Sequence, residues 1–177
     1  MKVTGYQIRE AIKRWTLRRD TASKQFNDSL WQFQGENPDP DFVPSTIAES
    51  FDVADMNIAL LETLQQAYNL RITFEVGGNM MTLSTAVKRV GGAGRLDKMW
   101  RSAATSNGTD RYGGRTMTRQ QGEIAATRMV ATGTALELAD KAAAYAGKLR
   151  AAIAMANATV VEVSDLTKEK VDSSLFE

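Results

Sequence analysis

The sequence predicts a mainly α-helical protein with an antiparallel helical hairpin, a small β-hairpin and a long alanine-rich C-terminal helix. Two long segments repeat apolar residues at helical spacing on either side of a linker that holds all three prolines. A Gly77-Gly78 pair follows a short segment of alternating apolar and polar residues. The predicted organisation is a helical and β-hairpin part at 1–105, a Gly/Arg-rich loop at 106–117, the long helix at 118–158, and a short strand with an acidic tail at 159–177.

The first predicted helix extends from Tyr6 to Phe33 and has one apolar stripe, which Arg19 and Ser29 interrupt. The stripe contains Ile8, Ile12, Trp15, Ala22, Phe26 and Phe33. Gly35 should end this helix, and the connection from 37 to 44 should be extended, since residues that precede proline avoid the helical region.

The second predicted helix begins with a capping box of Thr46 and Glu49 and ends near Asn69. One face repeats apolar residues at Ile47, Phe51, Ala54, Ile58, Leu61 and Tyr68. The short linker favours antiparallel packing against the first helix, so that basic side chains there reach Asp52, Asp55 and Glu62.

Charges are sorted into blocks along the chain, although the formal net charge is only +1. Residues 25–70 hold eight acidic side chains and no Lys or Arg, whereas Lys2 to Lys24 holds seven basic residues against two acidic ones. Lys88 to Arg119 holds eight basic residues against two acidic ones. Blocks of opposite sign can pair within the chain or between copies, so we expect association to depend on salt.

The predicted β-hairpin has Leu70 to Val76 as one strand and Met80 to Leu83 as the other. Two strands alone are marginally stable, so the hairpin should pack on a helix or gain a third strand. The candidates for that strand are Thr159 to Val163 and a neighbouring subunit.

A further helix, capped by Thr82 or Ser84, should extend to about Ala104, but Gly91, Gly92 and Gly94 interrupt its pattern. Either the helix breaks there, or the glycines admit a closely approaching backbone. A phosphate-binding loop is a weaker interpretation, because the Gly-Lys-Ser/Thr ending of such loops is missing. A loop should then cover 106 to 114.

The long helix should begin at a capping box of Thr118 and Gln121 and reach Ala158, about 60 Å at 1.5 Å per residue. Small residues along its seam allow another helix to approach closely. The tail from Ser164 should be mobile or docked on a partner. The predicted interface with another copy consists of Trp15, Ala135, Leu138, Ala142, Tyr145 and Leu149.

The absence of Cys and His excludes thiolate nucleophiles, histidine bases and the usual zinc sites, so no catalytic residue, cofactor or metal is expected. The N-terminus lacks the apolar core of a signal peptide, and no apolar run is long enough to span a bilayer. We therefore expect no membrane partner and a cytoplasmic or virion location.

The basic segment from Lys88 to Arg119 has two interpretations. It can follow a nucleic-acid backbone, with Trp100 or Tyr112 stacking on bases, or it can meet the acidic block of another subunit. The candidate nucleic-acid contacts are Lys88, Arg89, Arg95, Arg101, Arg111, Arg115 and Arg119.

Two motifs, Gln34-Gly-Glu-Asn-Pro-Asp-Pro40 and Met80-Met-Thr-Leu-Ser-Thr-Ala-Val-Lys-Arg-Val90 with its continuation to Met99, flank the acidic helix. In this order the first 105 residues or so resemble the septicolysin-like family of small bacterial and phage-encoded helical proteins. The resemblance implies a helix, a Gly-Glu-x-Pro linker, a second helix, a β-turn and a Thr-Leu-x-x-Ala helix. The chain departs from that pattern at Gly91 to Gly94, and the alanine-rich segment from Arg119 has no counterpart in it. The family name suggests a toxin, but the resemblance transfers no site.

These observations lead to three functional hypotheses. The first is a non-enzymatic structural protein that self-assembles with its own copies and other assembly subunits, in a bacteriophage virion or another large bacterial assembly. The second is a nucleic-acid-associated protein that uses Lys88 to Arg119. The third is a membrane-active protein, which the missing long apolar surface disfavours.

Overall fold

The computed structural model of the chain describes residues 1–31, 42–106, 128–169 and 171–176. Helices dominate these residues, which confirms the mainly α prediction. In chain order the elements are β1 (Lys2–Val3), α1 (Gly5–Ser29), α2 (Pro44–Arg71), β2 (Thr73–Val76), β3 (Asn79–Thr82), α3 (Leu83–Thr105), α4 (Thr132–Asn157) and β4 (Val161–Glu162), followed by short 3₁₀ turns at Val163–Asp165 and Ser173–Phe176.

The chain divides into two compact units. The first unit contains 1–74, 82–84 and 154–177, and therefore the whole of α1 and α2 with the C-terminal segment. The second contains 75–81 and 85–153, which is the tip of the β-hairpin and most of α3 and α4.

The first unit is built on an antiparallel hairpin of α1 and α2, as the sequence predicts. Gly5 lies beside Tyr68, Ala11 packs with Leu61, and Arg19 lies 3.3 Å from the Asp55 carboxylate, so partner numbers fall along α2 as they rise along α1. Thr4 caps α1, because its hydroxyl accepts a hydrogen bond from the backbone amide of Gln7. In return, the side-chain oxygen of Gln7 accepts one from the backbone amide of Thr4. The helix ends at Ser29, four residues before the predicted end.

The start of α2 differs from the prediction. The helix begins at Pro44, whose missing amide proton and fixed φ suit the first helical position, and its N-cap is Val43 without a side-chain bond. Thr46 lies inside the helix, where its carbonyl accepts from the Ser50 hydroxyl, so the Thr46 and Glu49 capping box is wrong. At its other end α2 continues to Arg71, so Leu70 is helical rather than part of a strand.

Tyr68 joins α2 to the end of α4 within the first unit. Its ring is fully buried, and its hydroxyl donates to the carbonyl of Ala156 at 2.7 Å and to that of Thr159 at 2.8 Å. Gly5 lies directly against Tyr68 and Asn157, so α1, α2 and α4 meet at this point. Burial raises the pKa of Tyr68 above its ordinary value of 10.0, and a backbone hydrogen bond with Gly5 lowers it by a smaller amount.

The substitution Tyr68→Phe is expected to lower the free energy of unfolding by about 1–2 kcal/mol, because the carbonyls of Ala156 and Thr159 lose their hydroxyl donor while the ring packing is kept. Urea denaturation at neutral pH measures this loss. The folded state also holds the Tyr68 proton to higher pH than the unfolded state, so this contribution is present below about pH 10 and is lost as pH rises through the raised pKa. Wild type should therefore lose more stability than Tyr68→Phe above pH 10, and equal alkaline losses would contradict the assignment.

The β-hairpin forms between β2 and β3 as predicted, with Gly77 at φ +60° and Gly78 at φ +80°. Positive φ at both central residues is the geometry of the two-residue turns that favour glycine. The predicted third strand is wrong, because β4 pairs with β1 instead, Val3 opposite Val161. Pairing with the N-terminal strand buries both of these valines.

The glycines at 91, 92 and 94 lie inside one continuous helix, α3, so the predicted break is wrong. The alternative of a close approach is also wrong: among the described residues, a Cβ at Gly92 or Gly94 would meet no atom within 4 Å. In a continuous helix the amides bond to carbonyls four residues earlier, and these glycine amides cannot cradle a phosphate.

Because the site is open and helical, Gly92→Ala is expected to stabilise the fold by up to about 1 kcal/mol, the difference in helix propensity between the two residues. Chemical denaturation monitored by helical circular dichroism measures the change. A destabilisation would indicate that the helix does not persist through Gly92.

The C-terminal helix is shorter than predicted. Residues 128–131 are not helical, and α4 begins at Thr132 and has 26 residues, about 39 Å rather than 60 Å. Thr132, Gly133 and Thr134 are weak helix formers, and they follow directly on the non-helical residues.

Several predicted features lie outside the described residues. These are the end of the first helix at Phe33, the Gln34 to Pro40 motif, all but Ser106 of the predicted loop, and the capping box of Thr118 and Gln121.

The C-terminal segment docks on its own chain, where the sequence predicted a mobile tail or one docked on a partner. Leu175 packs with Ala11 and Leu61, and the Trp15 indole donates to the Leu175 carbonyl at 3.1 Å. Arg14 donates to the carbonyl of Phe176. Val171 and Phe176 pack against the same cluster, so three apolar side chains of the tail account for this docking.

Candidate interaction surface on the second helix

Helix α2 has apolar side chains on two faces. The first face is buried in the hairpin and contains Ile47, Ala54, Ile58, Leu61, Leu64 and Tyr68. The second face is largely exposed, and an apolar stripe on a helix normally packs against another surface. The uncovered face is therefore the candidate functional surface.

This uncovered face, the outer stripe, consists of Val53, Met56, Leu60, Ala67 and Leu70. The steps between them are three, four, seven and three residues, the spacing of one continuous helical seam. Val53 is 52% exposed, Met56 66% and Leu70 55%, whereas Leu60 and Ala67 are half-buried. Leu60 packs against the cluster formed with the docked C-terminal segment. Part of the outer stripe is therefore covered by the chain itself, and the rest is exposed to solvent.

The outer stripe has acidic surroundings. Glu49 and Asp52 are exposed one turn before Val53 and Met56, and α2 has no basic residue before Arg71. Asp55 pairs with Arg19 of α1, as predicted, but Asp52 and Glu62 form no ion pair within the described part of the chain. Asp20 and Asp55 raise the pKa of Arg19 by accepting its hydrogen bonds.

Helix α1 presents a surface of the opposite sign, the α1 outer face, defined by Lys13, Arg14, Leu17 and Lys24. Leu17 is 69% exposed, the remaining three are cationic, and all four lie on the exposed side of the helix. The Lys13 ammonium lies 2.6 Å from the Glu10 carboxylate and holds the pKa of Glu10 below its ordinary value. Even with Glu10 paired in this way, the face keeps an excess of positive charge.

The predicted oligomer-interface residues have partners in their own chain. Ala135, Ala142 and Leu149 are buried, and Leu138 and Tyr145 are half-buried. Side chains of α3 contact α4 within the second unit, since Arg89 lies over the Tyr145 ring and Arg101 lies 2.9 Å from Asp140.

Trp15 is half-buried by the docked C-terminal segment, and Arg18 lies 4.4 Å from its ring centroid. That Trp15 and the α4 seam form an interface with another copy stays a prediction.

The predicted nucleic-acid contacts are only partly brought together. Lys88, Arg89, Arg95 and Arg101 lie on α3, but Arg101 bonds to both Asp97 and Asp140, which raises its pKa. Arg111, Arg115 and Arg119 lie outside the described residues. Phosphate binding at Arg101 would compete with two carboxylates already in place.

A cleft of about 320 Å³ lies between α1 and α2, lined by Ala22, Ser23, Phe26, Asn27, Ile47, Ala48 and Phe51. Its lining is mostly apolar and contains no ionisable side chain, so it offers no acid–base pair. Across the described ranges, no three acidic side chains lie close enough together to hold a metal ion, and no helix is both long and apolar enough to cross a membrane.

The outer stripe was not among the predicted interface residues. Its signal was nevertheless present, since Val53, Met56, Leu60, Ala67 and Leu70 repeat at helical spacing independently of the buried face. Comparison of the chain with protein-family models, with curated proteins and with solved structures found no match.

Proposed function

We propose that this chain is a non-enzymatic structural protein that associates with copies of itself, as a subunit of a larger assembly such as a bacteriophage particle. The observation that supports this function is the outer stripe of α2. The helix has filled one apolar face with α1 and keeps a second apolar face in water. An exposed apolar stripe along one helix face is typical of protein–protein contact sites.

The energetics favour covering this stripe. Burying a large aliphatic side chain contributes about 1.5–3 kcal/mol relative to full exposure, and Val53, Met56 and Leu70 are each more than half exposed. Together these side chains can offset a substantial part of the entropy lost on association. Apolar residues that are exposed singly are common on protein surfaces and need no partner. The outer stripe differs from these, because its members follow one helix face for about five turns.

The composition supports a structural rather than a catalytic role. The chain contains no Cys and no His, and the cleft between α1 and α2 offers no charged group for proton transfer. The sorted charge blocks provide orientation and salt dependence for contacts between copies.

Sedimentation velocity of the purified chain at low and moderate salt tests this function. We expect species heavier than the 19.4 kDa monomer, with the fraction assembled rising with concentration and falling with salt. A single 19.4 kDa species across the concentration range at both salts would overturn the proposal. Adding labelled DNA to the same samples tests the nucleic-acid alternative, which predicts co-sedimentation with a steep salt slope.

A further inference from the structure

If the chain self-associates as proposed, the structure also indicates which surface the outer stripe meets. We propose that the outer stripe of α2 in one copy binds the α1 outer face of another copy, in a heterologous, head-to-tail contact. This inference rests on the proposed function and adds the identity of the partner surface.

Charge argues against pairing of two outer stripes. The exposed Glu49 and Asp52 flank the stripe, and no basic residue precedes Arg71 on α2. A two-fold contact would bring two copies of the same negatively charged helix together, because α2 holds four carboxylates and its one basic residue, Arg71, is bonded to Asp165. Like charges at an interface suppress that pairing.

The exposed apolar residue and the positive charge of the α1 outer face favour it instead as the partner of the outer stripe. Leu17 is a 69% exposed apolar side chain, with Lys13 and Arg14 one turn before it and Lys24 two turns after it. Its nearest acidic neighbours are already bonded, Glu10 to Lys13 and Asp20 to Arg19. An apolar centre inside a cationic rim is therefore available to meet an apolar stripe inside an acidic rim.

The geometry of such a contact determines the type of assembly. Each copy has one outer stripe and one α1 outer face, so every contact leaves one unused surface of each kind at the two ends. A heterologous contact closes into a ring if the rotation permits and otherwise grows as a filament. We therefore expect growth beyond the dimer.

Single-cysteine cross-linking tests the pairing, because the natural chain contains no cysteine. Leu17→Cys and Met56→Cys variants, one of them carrying a tag that changes its mass, are prepared separately, mixed, and treated with a short bismaleimide. The expected result is a covalent heterodimer that forms at least about tenfold faster than with the control pair Leu17→Cys and Met155→Cys, because association raises the effective concentration of the two thiols. Met155 is also exposed on a helix, at 77%.

The outcomes separate the two proposals. If Met56→Cys alone cross-links to itself and the mixture yields no heterodimer, the contact is two-fold, and the inference is overturned while self-association stands. If no pair exceeds the control although wild type sediments as an assembly, a different surface is used and the inference is overturned. If wild type sediments as a monomer, the proposed function itself fails.

Discussion

The substitution Met56→Arg is expected to abolish assembly at concentrations where the wild-type chain assembles. Met56 is the most exposed member of the outer stripe, and an arginine there would carry a positive charge into an apolar contact whose proposed partner is already cationic. The expected cost is at least about 2 kcal/mol, or roughly a 30-fold weaker dissociation constant. Sedimentation velocity at matched concentrations measures it.

The fold should survive this substitution. The new arginine lies four residues after Asp52, a pairing that stabilises helices by about 0.3–0.5 kcal/mol, and position 56 faces solvent within the chain. Met155→Arg is the matched control, since Met155 is exposed on a helix but lies outside the outer stripe. Assembly of Met56→Arg at wild-type concentrations would rule out the outer stripe as the contact.

The substitution Gly5→Ala is expected to destabilise the first unit by about 3 kcal/mol, since overpacking against atoms that cannot move is costly. A Cβ at Gly5 would lie 2.5 Å from Asn157 Oδ1, 2.8 Å from Tyr68 Cε1 and 3.3 Å from Asn157 Cα. Asn157 and Tyr68 are both buried, and one of these contacts is with backbone, so a simple side-chain rotation does not relieve the clash. Urea denaturation measures the loss at a fixed protein concentration.

Gly92→Ala is the matched control for this effect. It is the same chemical change in a helix, but among the described residues nothing lies within 4 Å of the new Cβ, and it should stabilise rather than destabilise. If Gly5→Ala unfolds at the same urea concentration as wild type, then α1, α2 and the end of α4 are not packed as described.

The helical hairpin and the β-hairpin could be predicted because their signals are local. Apolar spacing defined the packed faces of α1 and α2, and Gly77-Gly78 supplied the positive φ angles that the turn requires. Helix boundaries were less accurate. The capping box of Thr46 and Glu49 fits a helix start as well as Pro44 does, and local patterns do not decide between them.

The errors concern contacts between distant parts of the chain. Local spacing does not determine whether Val161 pairs with β3 or with β1. At Gly91 to Gly94 the helix continues although the helix propensity of glycine disfavours it. The candidate surface was visible in the sequence only as a second apolar periodicity on a helix that had already been assigned one.

The most direct test of the account is the alkylation rate of a single cysteine placed in the outer stripe by Met56→Cys, measured over a range of protein concentrations. The rate should fall at least about tenfold as the chain assembles, because a thiol covered by another copy is inaccessible, whereas the rate for Met155→Cys should stay constant. If the cysteine at position 56 reacts at the same rate at every concentration, the outer stripe stays in water, and the central claim that another copy covers it is contradicted.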